Sequence, residues 1–132
     1  MSMTVLNAEI KKYFKDIENG INNLITDQDL YEKIDNKEDL FLLDIRKKED
    51  FEENHLKGAF HSAWDEVGEC IKKDVFTKDD KVIVICYSGQ TAGQTVGILR
   101  SMGYNACALK GGMVTGSEND NLYIESKCET AV

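Results

Sequence analysis

One cysteine of this 132-residue chain stands where its neighbours can make it reactive. The apolar run Val82-Ile83-Val84-Ile85 ends in Cys86, a short polar stretch Tyr87-Ser88-Gly89-Gln90 follows, and a helical pattern begins near Thr91. A strand that ends in a cysteine and turns at once into a helix brings backbone N–H groups and the positive helix end toward the sulfur. Such donors stabilise an anion, and the thiolate is the nucleophilic form of cysteine. Gly89 allows the chain to turn tightly without a Cβ clash, and Ser88 and Thr91 offer hydroxyl donors. Cys86 is therefore the candidate nucleophile.

The other thiols lack this setting. Cys107 lies in mid-strand between two alanines and reads as core, and Cys70 lies in a short amphipathic stretch and reads as packing. Cys128 sits in a polar tail with no neighbour that assigns it a role. No two cysteines form a C-x-x-C pair, which speaks against a zinc or thioredoxin-type site. The two histidines, His55 and His61, have no companions at metal-ligand spacing, so neither a metal nor another cofactor is expected.

The elements that must position Cys86 alternate. Residues 81–86 form the strongest strand candidate, because four successive β-branched side chains favour the extended state. Residues 40–45 are a short, nearly continuous apolar run of the kind buried in parallel sheets, and residues 59–63 and 105–109 are shorter candidates. Between them, Ala92, Val96, Leu99 and Met102 mark the buried face of a helix that closes at Gly103. Shorter helices are expected after the cap candidates Thr26 and Asp27, around Phe51, and over 67–72. At the start, Leu6, Ile10, Phe14 or Tyr13, Ile17 and Ile21 recur at three- and four-residue spacing, which gives an amphipathic helix ending near Gly20. That helix either packs on its own domain or docks onto a partner. The alternation argues for an α/β fold with a mostly parallel sheet, in which ligands sit at the carboxyl ends of strands.

Composition bounds the rest. The length fits one domain with a core that needs no disulfides. We divide the chain into an N-terminal helical extension, 1–24, and a domain over 25–132. A net charge of −8 repels nucleic-acid backbones and anionic membranes, so neither is an expected partner. No run reaches the length of a membrane span, and the charges among the first 24 residues interrupt any signal-peptide core. A cytoplasmic setting is expected, where thiols stay reduced.

The residues then resemble a known family, the rhodanese-like domains, across residues 26–113. Four pieces in order carry the resemblance: Leu42-Leu43-Asp44-Ile45-Arg46, Phe51-Glu52-Glu53-Asn54-His55-Leu56-Lys57-Gly58-Ala59, the loop Cys86-Tyr87-Ser88-Gly89-Gln90-Thr91-Ala92, and Gly103-Tyr104 with Leu109-Lys110-Gly111-Gly112-Met113. The resemblance implies a central five-stranded, mostly parallel sheet flanked by helices on both faces, here with an extra N-terminal helix. It implies a single-domain sulfurtransferase in which Cys86 takes up sulfane sulfur as a persulfide and passes it to a thiophilic acceptor. Tyr87, Ser88, Gly89, Gln90, Thr91 and Ala92 would cradle the persulfide and the donor, with Asp44 and Arg46 as supporting residues. His55 would fix its turn by hydrogen bonding.

Asn54 and Lys57 replace the family's glycine and proline, and no tryptophan follows Gly112-Met113. The loop carries no Lys or Arg to hold a dianion such as thiosulfate, which leaves a protein persulfide, a polysulfide or a small persulfide as equally good donors. The expected partners are thus a small sulfur donor and acceptor or a persulfide-carrying protein, and the chain is expected as a monomer or homodimer. A non-catalytic binding, regulatory or redox-sensing module is the alternative reading; such modules usually lack the loop cysteine. A cysteine phosphatase is disfavoured, because Ala92 stands where the phosphate-clamping arginine would be.

Overall fold

In the computed structural model, which describes residues 1–126, the chain starts with α1 (Met3–Glu18), followed by β1 (Leu24–Ile25), α2 (Asp27–Asp35), β2 (Leu40–Asp44) and α3 (Lys48–Glu53). Then come β3 (His55–Leu56), β4 (Phe60–His61), a 3-10 turn (Trp64–Glu66), α4 (Val67–Lys72) and β5 (Lys81–Ile85). The last elements are α5 (Gln90–Ser101), β6 (Asn105–Leu109), α6 (Gly112–Gly116) and β7 (Ile124–Glu125). Caps explain two of the helix starts: the Ser2 hydroxyl accepts from Val5 N–H at 3.2 Å, and the Thr26 hydroxyl from Asp29 N–H at 3.1 Å.

Five strands form one sheet in the order β1-β6-β5-β2-β4, and every neighbouring pair is parallel. The expected five-stranded α/β sheet is present, with β5 at its centre. A separate ribbon pairs β3 with β7 antiparallel, His55 opposite Glu125 and Leu56 opposite Ile124. β1, β3 and β7 are two residues each, too short to show a period of two, and were not expected from the sequence.

Alternation along the strands divides the core into two halves. Val82, Val84 and Cys86 face one side, where Val67 and Cys70 of α4 and Ala92, Val96 and Leu99 of α5 cover them. Ile83 and Ile85 face the other, under Leu30 of α2 and Met113 of α6. With both faces covered, a continuous apolar run such as Val82-Ile83-Val84-Ile85 has no solvent side to alternate toward. α5 packs closely on β6 and β5, so the helix that follows Cys86 is held rigidly against the strand that precedes it. α1 lies outside this sandwich, against α5, and none of its residues is buried.

Leu99 is fully buried between α5 and the sheet. Leu99→Ala is expected to lower the unfolding free energy by about 2–5 kcal/mol, read from the shift of a urea denaturation midpoint at unchanged slope.

Candidate active site

β5 is the middle strand, so its carboxyl end opens over the middle of the sheet. Cys86 is the next residue. β2 runs beside β5 in parallel, with Asp44 opposite Ile85, which brings Asp44 and Arg46 to the same edge as Cys86. The loop cysteine and the Asp44–Arg46 pair, remote in sequence, are neighbours because two parallel strands end at the same height.

The loop turns back on its own sulfur. Gly89 N–H donates to Cys86 Sγ at 2.9 Å. Gly89 has φ +102°, a left-handed backbone angle that calls for glycine, while a Cβ there would make only ordinary contacts with Gly111 N and Leu109 O. α5 begins at the next residue, and its first N–H groups have no intrahelical acceptor. The sulfur thus sits at the donor end of a 12-residue helix, with the helix dipole favouring negative charge on it.

A second segment holds the loop from behind. Met113 N–H donates to the Cys86 carbonyl at 2.9 Å, and Val114 N–H to the Tyr87 carbonyl at 3.0 Å. These are first-turn donors of α6, so one helix end is satisfied by the carbonyls of the loop that another helix end serves. Gly112 makes the approach possible: its φ is +57°, and a Cβ on it would overlap both loop carbonyl oxygens. The Gly111-Gly112 pair was legible as a turn, but its grip on the loop was not, since nothing in a lone sequence links it to Cys86.

Asp44 and Arg46 form a buried, forked ion pair. Arg46 Nε donates to Asp44 Oδ1 at 3.0 Å and Nη2 to Oδ2 at 2.8 Å, and the backbone N–H of Arg46 adds a bond to Oδ1 at 3.1 Å. The guanidinium also reaches across to α3, donating to the Asn54 carbonyl and, at 3.3 Å, to Asn54 Oδ1. Asn54 is therefore an acceptor that ties the β2 end to the α3–β3 turn. His61 Nε2–H donates to the Arg46 carbonyl at 2.7 Å, and His55 Nδ1–H to the Phe51 carbonyl at 2.7 Å. The His55 ring stacks on Phe51, with centroids 3.9 Å apart. Both imidazoles are engaged as braces of this edge.

The remaining loop residues are spread by depth. Tyr87 is 66% exposed, Ser88 and Gln90 are exposed, Thr91 is half-buried, and the Ala92 methyl lies wholly in the core, so Ala92 can meet a ligand only through its backbone. Cys86 is only 3% exposed, which restricts its partners to slender groups. Beside the loop opens a cleft of 440 Å³, walled by Tyr87, Met113 and Arg46 and by the carboxylates Asp50, Glu53 and Glu118. Its one cation, Arg46, is already paired with Asp44. A second cavity, of 470 Å³, lies between Tyr31, Leu56 and Tyr123 and contains no loop residue. Cys70 is buried in the core, and Cys107 is half-buried with the Arg100 guanidinium 3.7 Å from its sulfur. Cys128 falls outside the described residues. Among those residues no group of three or more His, Cys, Asp or Glu side chains could hold a metal ion.

Comparison with known proteins agrees with this geometry. The family model of the rhodanese-like domain matches residues 26–118, which takes in Asp44, Arg46, the Cys86 loop and α6. Thiosulfate sulfurtransferase PspE of Escherichia coli is 37% identical over 71 residues, spanning 54% of this chain and 68% of that protein. Thiosulfate sulfurtransferase GlpE of Glaesserella parasuis is 35% identical over 89 residues, spanning 67% of this chain and 80% of that protein. The crystal structure of a rhodanese-like domain protein from Staphylococcus aureus superposes with a TM-score of 0.69 at 22% identity, over 79% of this chain and 99% of that one, a likeness of fold.

Replacing Arg46 by Met strands a buried carboxylate, and is expected to cost about 3–5 kcal/mol of stability. Because the two side chains act as a pair, Asp44→Leu combined with Arg46→Met should cost clearly less than the sum of the single changes, measured by urea unfolding of the four proteins of the cycle.

Proposed function

The chain belongs to the rhodanese-like domain family, and from that membership we propose that it is a sulfurtransferase whose Cys86 carries sulfane sulfur as a persulfide. The observation that carries this reading is the Gly89 N–H pointing at Cys86 Sγ from 2.9 Å, at the donor end of α5. That geometry favours a thiolate before the reaction and an anionic persulfide after it.

The transfer runs in two displacements. The Cys86 thiolate attacks the outer sulfur of a donor, an S–S bond forms to Sγ, and the donor's own S–S (or S–sulfonate) bond breaks with its electron pair. A nucleophilic acceptor then attacks the terminal sulfur and Cys86 leaves as the thiolate again. No net electrons stay on the protein over the cycle, and the form of Cys86 that attacks is the thiolate. The amides of Gly89 and of the first α5 turn, Gln90, Thr91 and Ala92, would hold the persulfide, with Tyr87 and Ser88 at the mouth. Asp44 and Arg46 would act as supporting residues, keeping the β2 end and the α3–β3 turn in place beside the loop.

The cleft argues about the donor. Asp50, Glu53 and Glu118 line it, and its one guanidinium is neutralised by Asp44. A small dianion such as thiosulfate or inorganic polysulfide meets net repulsion there, a singly charged small persulfide meets less, and a persulfide on a protein with a basic surface meets least. Three described cysteines, Cys70, Cys86 and Cys107, are free thiols, in keeping with a reducing, cytoplasmic setting. Among the described residues no helix is long and apolar enough to cross a membrane.

Sulfur transfer from polysulfide or thiosulfate to cyanide, followed together with intact mass, tests the proposal. Wild-type protein should gain one sulfur atom, about 32 Da, and turn over, and Cys86→Ser should do neither. An unloaded wild-type protein would leave only a binding role for the domain. Neutralising the cleft by Glu53→Gln with Glu118→Gln should raise kcat/KM for thiosulfate by roughly two- to tenfold, leave a neutral organic trisulfide donor unaffected, and lose its effect at high salt.

A further inference from the structure

α1 meets its own domain with the less apolar part of its surface. Leu6, Glu9, Tyr13 and Asp16 are its half-buried positions, and Glu9, Tyr13 and Asp16 line a 320 Å³ crevice against Arg100 and Gly103 at the far end of α5 from Cys86. The apolar stripe lies on the adjoining face. Met3, Ile10, Phe14 and Ile17, with Ile21 just past the helix end, are 37–69% exposed. Nothing among the described residues covers them, and the remaining six residues, KCETAV, offer only one alanine and one valine against five large side chains.

We propose that α1 is a homodimerisation helix, the stripe of one copy packing on the same stripe of a second. Three observations select a second copy as the occupant. Met3, Ile10 and Ile17 repeat at seven residues along α1, with Phe14 beside them, which is the spacing of helices that pack along their length. From their fractional exposures the five residues present roughly 490 Å² per copy, so a pairing that covered them fully would bury about 1,000 Å², the lower bound of a specific interface, with flanking side chains adding to it. The outer edge of the stripe carries both signs, Lys11 and Lys15 beside Glu18, with Lys15 Nζ 3.3 Å from Glu18 Oε2, so it does not repel an identical edge. An anionic membrane fits less well, because the chain as a whole carries −8. A two-fold pairing of this kind is self-complementary and closes at two copies. α1 lies outside residues 26–118, which match the rhodanese-like family model.

Sedimentation velocity on the full chain, from micromolar to near-millimolar concentration, reads the outcome. The wild type should run at twice the 14.9 kDa chain mass, with Phe14→Glu and, separately, Ile17→Glu running at 14.9 kDa or dissociating at least about tenfold more readily. Ala8→Glu, exposed on the opposite face, should stay dimeric, and all variants should keep wild-type circular dichroism and sulfur transfer. A wild-type monomer at every concentration overturns the proposal, whether or not it sediments with phosphatidylserine vesicles. So does a dimer indifferent to both stripe substitutions.

Discussion

Two hydrogen bonds, from Met113 and Val114 N–H to the carbonyls of Cys86 and Tyr87, set the geometry on which the reactive loop depends. A strand that ends in a buried cysteine must dispose of its last carbonyls somewhere. Here the start of α6 takes them, which turns the carbonyl oxygens away and leaves the loop amides free to face the sulfur. Gly112 is the condition for that contact, since a side chain there would occupy the space of the two oxygens. Gly89 is the second condition, because its left-handed backbone lets the chain curl so that its own N–H reaches Sγ. The proposed persulfide site would thus rest on main-chain groups, with no loop cation.

Around this centre charge is arranged by depth. Within the sheet edge, the Asp44–Arg46 pair is fully enclosed and its hydrogen-bonding capacity is spent on β2, Asn54 and the backbone. Further out, Asp50, Glu53 and Glu118 face the cleft without an equal number of cations. The guanidinium is a brace, and the carboxylates colour the approach. In the proposed reaction, recognition would rest on a slender sulfur reaching a sulfur that is 3% exposed, and on the charge of whatever carries it.

Much of this was legible in the sequence. The β-branched run into Cys86, the glycine that follows and the amphipathic pattern beyond it are local signals, and they place a cysteine at the donor end of a helix without any knowledge of tertiary contacts. That Asp44 and Arg46 lie near Cys86 was implied by the family resemblance, and the parallel register of β2 with β5 supplies the physical reason. The parts that were not legible are those that depend on contacts between distant segments: the grip of Gly112 and Met113 on the loop, the use of Asn54 as an acceptor for Arg46, and the two-residue strands β1, β3 and β7, which exist only through their partners. The orientation of α1 belongs here too. Its periodicity shows an apolar face, but only the packed domain shows that this face is turned away from α5.

The central claim is that this main-chain cradle makes Cys86, among four cysteines, the carrier of sulfur. The most direct test is to treat the protein with an equimolar polysulfide, block thiols and persulfides with a small alkylating reagent, and locate the added sulfur by peptide mass spectrometry. The account predicts it on the peptide containing Cys86, with Cys70, Cys107 and Cys128 unmodified. Sulfur found mainly on Cys107 or Cys128, or shared evenly among the four thiols, would contradict it.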